Sequence, residues 1–164
     1  MKQLLIVRHA KSSREEPDLD DHDRPLNKRG QRDAPRMGRL LRDEGLVPEC
    51  IISSTALRAR TTAERMARSC GYDKKLRLTR WLYLADTGEC LRLLRETSPE
   101  YGSLMLVGHN PGLEELVEHL SGRAASMPTA AVAQISLPIE RWADLDDKVR
   151  GELLHVWSPK KLSD

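Results

Sequence analysis

Four residues of this 164-residue chain are of types that could do chemistry together: the adjacent Arg8 and His9, then Arg58, then His109 within Gly108-His109-Asn110-Pro111-Gly112. Two guanidiniums suit the forked geometry of a phosphate, and one of two imidazoles could serve as a nucleophile. Taken singly, an Arg-His pair or a surface arginine is commonplace. The weight therefore falls on the elements that carry them.

Leu4-Leu5-Ile6-Val7 reads as a buried strand of the parallel-sheet kind that ends in Arg8-His9, with Ser12-Ser13 forming the turn beyond. Ser103 to Val107 repeats the pattern and delivers Gly108-His109. Between them, Cys50-Ile51-Ile52-Ser53 is a shorter strand. It leads to Ser54-Thr55, which can cap a helix from about Ala56 to Cys70 that Gly71 closes. Arg58 then lies in the first turn, where free backbone donors and the positive dipole end also favour an anion. Ligands of open α/β sheets bind beyond the carboxyl ends of the strands, so in a parallel sheet all four residues converge at one rim.

The remaining segments supply the frame. Glu15 to Arg24 is an acidic, turn-rich loop expected to pass over the strand end. Asn27 is a helix N-cap, followed by Ala34, Met37, Leu40 and Leu41 at helical spacing until Gly45, with Pro35 implying a kink or a later start. Arg29, Arg32, Arg36 and Arg39 would align as a basic stripe, which a solvated face paired with Asp33, Asp43 and Glu44 explains better than a docking surface does. Leu76 to Thr79 is a short strand, Asp86-Thr87 caps a helix through Leu94 and Arg95, and Pro111 starts another. Ala131 to Leu137 and Glu152 to Trp157 read as an antiparallel pair. The expectation is one domain, residues 1–164, built as a three-layer α/β/α sandwich whose mostly parallel sheet has an antiparallel C-terminal edge.

Composition narrows the function classes. A net charge of +2 with 32% charged residues provides no overall field for nucleic acid or an anionic membrane, and 4% aromatics leave few stacking platforms for single strands. Cys50, Cys70 and Cys90 are too far apart for a CxxC motif and suit reduced thiols. The first apolar run is too short for a signal peptide, and no stretch reaches the length of a membrane span, so a cytoplasmic protein is expected. Oligomeric state is left open, with a monomer compatible. No HxH or HExxH spacing supports a metal hydrolase, and His22, His119 and His155 carry no motif.

In sequence order, the motifs resemble those of the histidine phosphatase superfamily, whose fold is phosphoglycerate mutase-like. Arg8-His9-Ala10 corresponds to its Arg-His-Gly, Ser54 to Thr62 to its Ser-x-x-x-Arg-Ala-x-x-Thr, Gly108-His109 to its Gly-His, and Leu26-Asn27-Lys28-Arg29-Gly30 to its Leu-Thr-x-x-Gly helix start. The resemblance implies that His9 takes the phosphoryl group covalently while Arg8, Arg58 and His109 hold its oxygens, with no metal or other cofactor. It also implies that His9 is unprotonated for attack and His109 serves as a cation or donor. Arg-His-Ala-Lys-Ser and the short chain look most like the SixA group, associated with phosphohistidine on proteins.

Two departures matter. Ala10 replaces the usual Gly, so the backbone there should avoid conformations only Gly takes readily, and Lys11 adds a charge that could contact phosphate. Where many members place a glutamate as general acid, this chain has Asp86, which could equally be a helix cap. Without an acid, good leaving groups such as phosphohistidine are favoured. The alternatives are a broad phosphomonoesterase for small metabolites and a noncatalytic phosphate- or protein-binding module.

Overall fold

The computed structural model describes residues 1–162; the last two of the expected domain, Ser163 and Asp164, lie outside the described residues. In chain order the elements are β1 (Lys2–Arg8), α1 (Lys28–Asp43), β2 (Cys50–Ser54), α2 (Leu57–Cys70), β3 (Arg77–Thr79), α3 (Thr87–Arg95), β4 (Ser103–Gly108), α4 (Gly112–Ser121), β5 (Val132–Leu137) and β6 (Glu152–Trp157). The strands form one sheet in the order β3-β2-β4-β1-β5-β6. β3, β2, β4 and β1 run parallel, β5 lies antiparallel to β1, and β6 antiparallel to β5.

Strand alternation divides the core into two layers. Leu4 and Ile6 of β1 pack with Leu91 and Leu94 of α3 and Leu116 and Val117 of α4, whereas Leu5 and Val7 pack with Met37 and Leu41 of α1 and Met66 of α2. Both faces of β1 are covered, which is why its apolar run is continuous rather than alternating. The result is the expected three-layer α/β/α sandwich with its antiparallel C-terminal edge. No described helix is long and apolar enough to cross a membrane.

Local chemistry sets the boundaries. The Asn27 side chain accepts the Gly30 N–H and starts α1 at Lys28, so the helix does not begin later but runs on through Pro35. Pro35 leaves the Gln31 carbonyl without its helical donor, and Gln31 is on the exposed side, where water can replace it. The arginine stripe is not a bare cationic face. Buried Asp33 sits within it, 3.5 Å from Arg29 and 3.7 Å from Arg32. Gly71 and Gly122 close α2 and α4 in the left-handed conformation at φ 85° and 71°.

α1 and α2 meet through small residues. A Cβ on Gly38 would stand 2.6 Å from the Met66 carbonyl oxygen, and Ala59, Ala63 and Ala67 lie on the same buried side of α2. Gly38→Ala should therefore destabilise the protein by about 1–3 kcal/mol, because overpacking against backbone outweighs the better helix propensity of Ala. Thermal unfolding followed by circular dichroism would measure it as a lowered Tm.

Candidate active site

Parallel pairing of β1 and β4 sets Arg8 opposite Gly108, and the His9 N–H donates to the Gly108 carbonyl at 3.0 Å. The His9 and His109 rings consequently lie 5.2 Å apart, tilted by 53°. β2, on the other side of β4, ends at Ser54 and leads into the first turn of α2, which carries Arg58. Arg8, His9, Lys11 and Arg58 line one cleft of about 540 Å³, and His109 backs it through its contact with His9.

His9 is 8% exposed, and its Nδ1 lies 2.7 Å from the Ala10 carbonyl. A carbonyl oxygen only accepts, so Nδ1 carries the proton and Nε2 keeps its lone pair. Burial, reinforced by the charges of Arg58, Arg8 and Arg24, lowers the His9 pKa to about 4 against the opposing pull of that hydrogen bond. The ring is a neutral base near pH 7.

The chain after His9 is tied down at two points. The Ala10 N–H donates to Thr62 Oγ1 at 2.9 Å, and the Thr62 hydroxyl donates to the Arg58 carbonyl at 2.7 Å, linking the loop to the turn that bears Arg58. The Lys11 carbonyl accepts the Asn27 N–H at 3.0 Å, and a Cβ on Gly30 would come within 2.2 Å of that oxygen. Thus Asn27 and Gly30 together let α1 abut the loop. Ala10 has no positive φ, so alanine replaces glycine there without strain.

Arg58 is 4% exposed and donates to the Asp21 carbonyl at 2.6 Å and to Asp21 Oδ2 at 2.9 Å. Asp21 Oδ2 also accepts the Tyr83 hydroxyl at 2.6 Å, and Oδ1 accepts Arg24 at 2.8 Å. These hydrogen bonds, the Tyr83 one foremost, hold the Asp21 carboxyl well below the usual carboxylate range. The acidic loop does pass over the strand end. Its 3-10 turn, Asp21–Asp23, delivers the counter-charge. Arg24 reaches on to the Ser13 carbonyl at 3.1 Å and to the Ser12 hydroxyl.

His109 Nε2 lies 2.8 Å from Ser54 Oγ, while its Nδ1 is buried without a partner, as are Nε of Arg8 and Nε of Arg58. Burial first, then the neighbouring His9 and Arg58, lowers the His109 pKa to about 3. Both imidazoles are thus neutral near pH 7, so of the two states expected for His109, cation or donor, its surroundings favour the neutral donor. Ser54 and Thr55 do not cap α2 as the sequence suggested. The N-cap is Ala56, and the two hydroxyls turn to His109 and His22 instead.

Asp86 is exposed, its Oδ1 accepts the Glu89 N–H at 2.8 Å as the cap of α3, and it does not line the cleft. Lys11 does line it, with an exposed side chain. His22 touches the site's edge through Thr55 and through the Tyr83 ring at 4.8 Å, whereas His155 stacks on Trp157 far along the antiparallel edge. Sequence reasoning missed Asp21, Arg24 and Tyr83. The one available signal was Arg24-Pro25-Leu26 just ahead of the Asn27 cap; nothing in spacing set Asp21 apart from the other acids of its loop. A larger hollow of about 740 Å³ beside β3 holds none of the four residues. Among the described residues, no group of three or more His, Cys, Asp or Glu is placed to hold a metal ion.

Comparison with known proteins places the chain in a family. Residues 4–89 match the model of the histidine phosphatase superfamily, branch 1. An uncharacterised chloroplastic protein of Arabidopsis thaliana is 32% identical over 152 residues, covering 87% of this chain and 70% of that protein. SixA of Agrobacterium tumefaciens, solved as a candidate phosphohistidine phosphatase, superposes with a TM-score of 0.83 at 28% identity, covering 96% of this chain and 98% of that one. SixA of Nakamurella multipartitia gives 0.83 at 26%, covering 96% of each chain. With its motif residues gathered at one rim and its first half matched to the family, the chain belongs to the histidine phosphatase superfamily, branch 1.

Proposed function

We propose that this protein is a metal-independent phosphatase that removes the phosphoryl group from phosphohistidine on a protein, through a covalent intermediate on His9. The observation that carries the reading is the state of His9: a neutral ring whose Nε2 lone pair is left free by the Nδ1 bond to the Ala10 carbonyl, beside a cleft lined by Arg8, Arg24 and Arg58. Family membership and the likeness to the A. tumefaciens SixA support it.

In this reading the His9 Nε2 lone pair attacks phosphorus in line with the leaving nitrogen. The Nε2–P bond forms as the substrate's N–P bond breaks, and the departing imidazole keeps the bonding pair and takes a proton from solvent. Water then attacks the phosphoryl group, the Nε2–P bond breaks with its electron pair returning to His9, and inorganic phosphate leaves with one of the water's protons while the other goes to solvent. The protein's part is positioning and charge. Arg8 and Arg58 supply the cations, and the unpartnered nitrogens Nε of Arg8, Nε of Arg58 and Nδ1 of His109 supply places for phosphoryl oxygens. A hydrogen bond given by Ser54 to His109 Nε2 would leave Nδ1 as the donor. Lys11 adds a further cation at the mouth.

Asp86 is assigned to capping α3 and not to acid catalysis, because its carboxylate is already engaged and faces solvent. An imidazole leaves with less help from an acid than an alkoxide does, so this favours phosphohistidine. The unpaired, buried Cys50, Cys70 and Cys90 fit a reducing compartment such as the cytoplasm.

Four measurements test the proposal. His9→Ala should abolish release of phosphate from a histidine-phosphorylated phosphocarrier protein and abolish labelling of the enzyme by that donor; a variant that still releases phosphate removes His9 as nucleophile. Asp86→Asn keeps an N-capping side chain, so turnover on the phosphoprotein and Tm should both stay unchanged, whereas Asp86→Ala should cost about 1 kcal/mol of stability with turnover intact. Nitrogen-detected imidazole NMR should find His9 neutral with its proton on Nδ1 from pH 8 down to about pH 5, protonating near its lowered pKa of about 4. Since the unfolded chain's histidine titrates nearer 6.5, the unfolded state binds the extra proton first, and denaturant midpoints should fall as pH drops from 7 to 5.

A further inference from the structure

Large apolar side chains are concentrated on one stretch of this surface. Of the six exposed large hydrophobics among the described residues, Leu78, Trp81 and Leu84 fall within seven positions, at 44%, 69% and 58% exposure. They lie on β3, on the 3-10 turn Arg80–Leu82 and on the turn after it. Scattered exposed leucines need no explanation, but an exposed tryptophan with two neighbours of its kind marks an interaction surface.

Two observations say where this surface leads. Leu84 lines the cleft together with His9, Arg8 and Arg58, so this stretch of chain reaches the rim. Its backbone has φ 53°, a left-handed conformation that costs a non-glycine residue free energy, and yet the side chain is given to solvent rather than to the core. On the far side, Trp81 and Leu93 of α3 edge a small groove of about 180 Å³ with Glu89, Arg92 and Glu96.

The charges around the stretch indicate its occupant. Lys11 and Arg14 at the cleft mouth and Arg77 and Arg80 near Trp81 are exposed, and none makes an ion pair among the described residues; Arg77 and Arg80 lie over the rings of Tyr101 and Tyr83 at 5.5 and 5.8 Å. Glu15 and Asp21 also line the cleft, and Glu89 and Glu96 stand in the groove beyond Trp81, so these unpaired cations lie at the cleft mouth and on the β3 side of Trp81. We infer that the face from Leu78 to Leu84 docks the protein that brings the phosphohistidine, through an apolar patch flanked by carboxylates around its modified residue. This rests on the proposed phosphoprotein substrate and adds to it a source of specificity outside the cleft. Trp81, the aromatic anchor, would bind without touching the reacting atoms.

Steady-state kinetics of the full chain on two substrates, the histidine-phosphorylated phosphocarrier protein and p-nitrophenyl phosphate, separates docking from chemistry. Trp81→Ala should raise KM for the phosphoprotein about tenfold or more while leaving its kcat, and both constants for p-nitrophenyl phosphate, within twofold. Raising ionic strength from 0.05 to 0.5 M should raise KM for the phosphoprotein more than KM for p-nitrophenyl phosphate, because it also screens the carboxylates of the phosphoprotein from Arg14 and Arg80. An unchanged KM for the phosphoprotein overturns the docking face and leaves the phosphatase reading standing. Equal losses on both substrates also overturn it, because Trp81 would then be supporting the cleft. Wild-type enzyme that turns over p-nitrophenyl phosphate and not the phosphoprotein refutes the substrate reading, and the docking face with it. A concentration-dependent dimer in sedimentation that Trp81→Ala dissolves would assign the face to a second copy of the chain and overturn the inference.

Discussion

The hydrogen-bonded pairing of β1 with β4 is the constraint on which the rest of the site depends. It sets Arg8 opposite Gly108, joins the His9 N–H to the Gly108 carbonyl, and leaves two imidazoles 5.2 Å apart at the ends of adjacent strands. Register in a parallel pair is enforced by burial on both faces, because a one-residue slip would turn Leu4 and Ile6 toward the wrong layer and Leu5 and Val7 toward the other. The core thereby fixes the spacing of the two histidines. The chemistry borrows its precision from packing.

Gathering cations at that rim creates an electrostatic problem, and the acidic loop answers it. Arg58 is almost wholly buried, and a buried guanidinium without a counter-charge would be costly. Asp21 supplies that charge through two contacts to Arg58 while also receiving Arg24 and the Tyr83 hydroxyl. Arg58 has five donors, and these contacts use two of them, so others remain for an oxyanion. The same surroundings that accommodate Arg58 keep His9 and His109 neutral, since burial and neighbouring cations both disfavour imidazolium.

Close backbone approaches hold these parts in place. Gly30 lets α1 meet the Lys11 carbonyl, and Gly112 lets α4 meet the Ala85 carbonyl, where a Cβ would stand 2.0 Å away. Ala130, at φ 64°, donates its N–H to the carbonyls of both Arg8 and His9. The His9 backbone is thus pinned from β4, from α2 through Thr62, and from the segment before β5.

The chain alone was sufficient for the layer order, the strand ends and the four residues Arg8, His9, Arg58 and His109, because apolar runs, caps and motif spacing are local or ordered signals. Asn27 and Asp86 were legible as caps for the same reason, their side chains acting within three residues. Asp21 and Tyr83 were not, since their partners lie 37 and 62 positions away in sequence. Nor were the turning of Ser54 toward His109 or the neutrality of His109, which depend on burial and on the distances between charges. Sequence by itself determined which groups could take part in phosphoryl chemistry. Tertiary structure decided their protonation, their counter-charge and their exposure, because each of these is set by neighbours that only folding brings within a few ångströms.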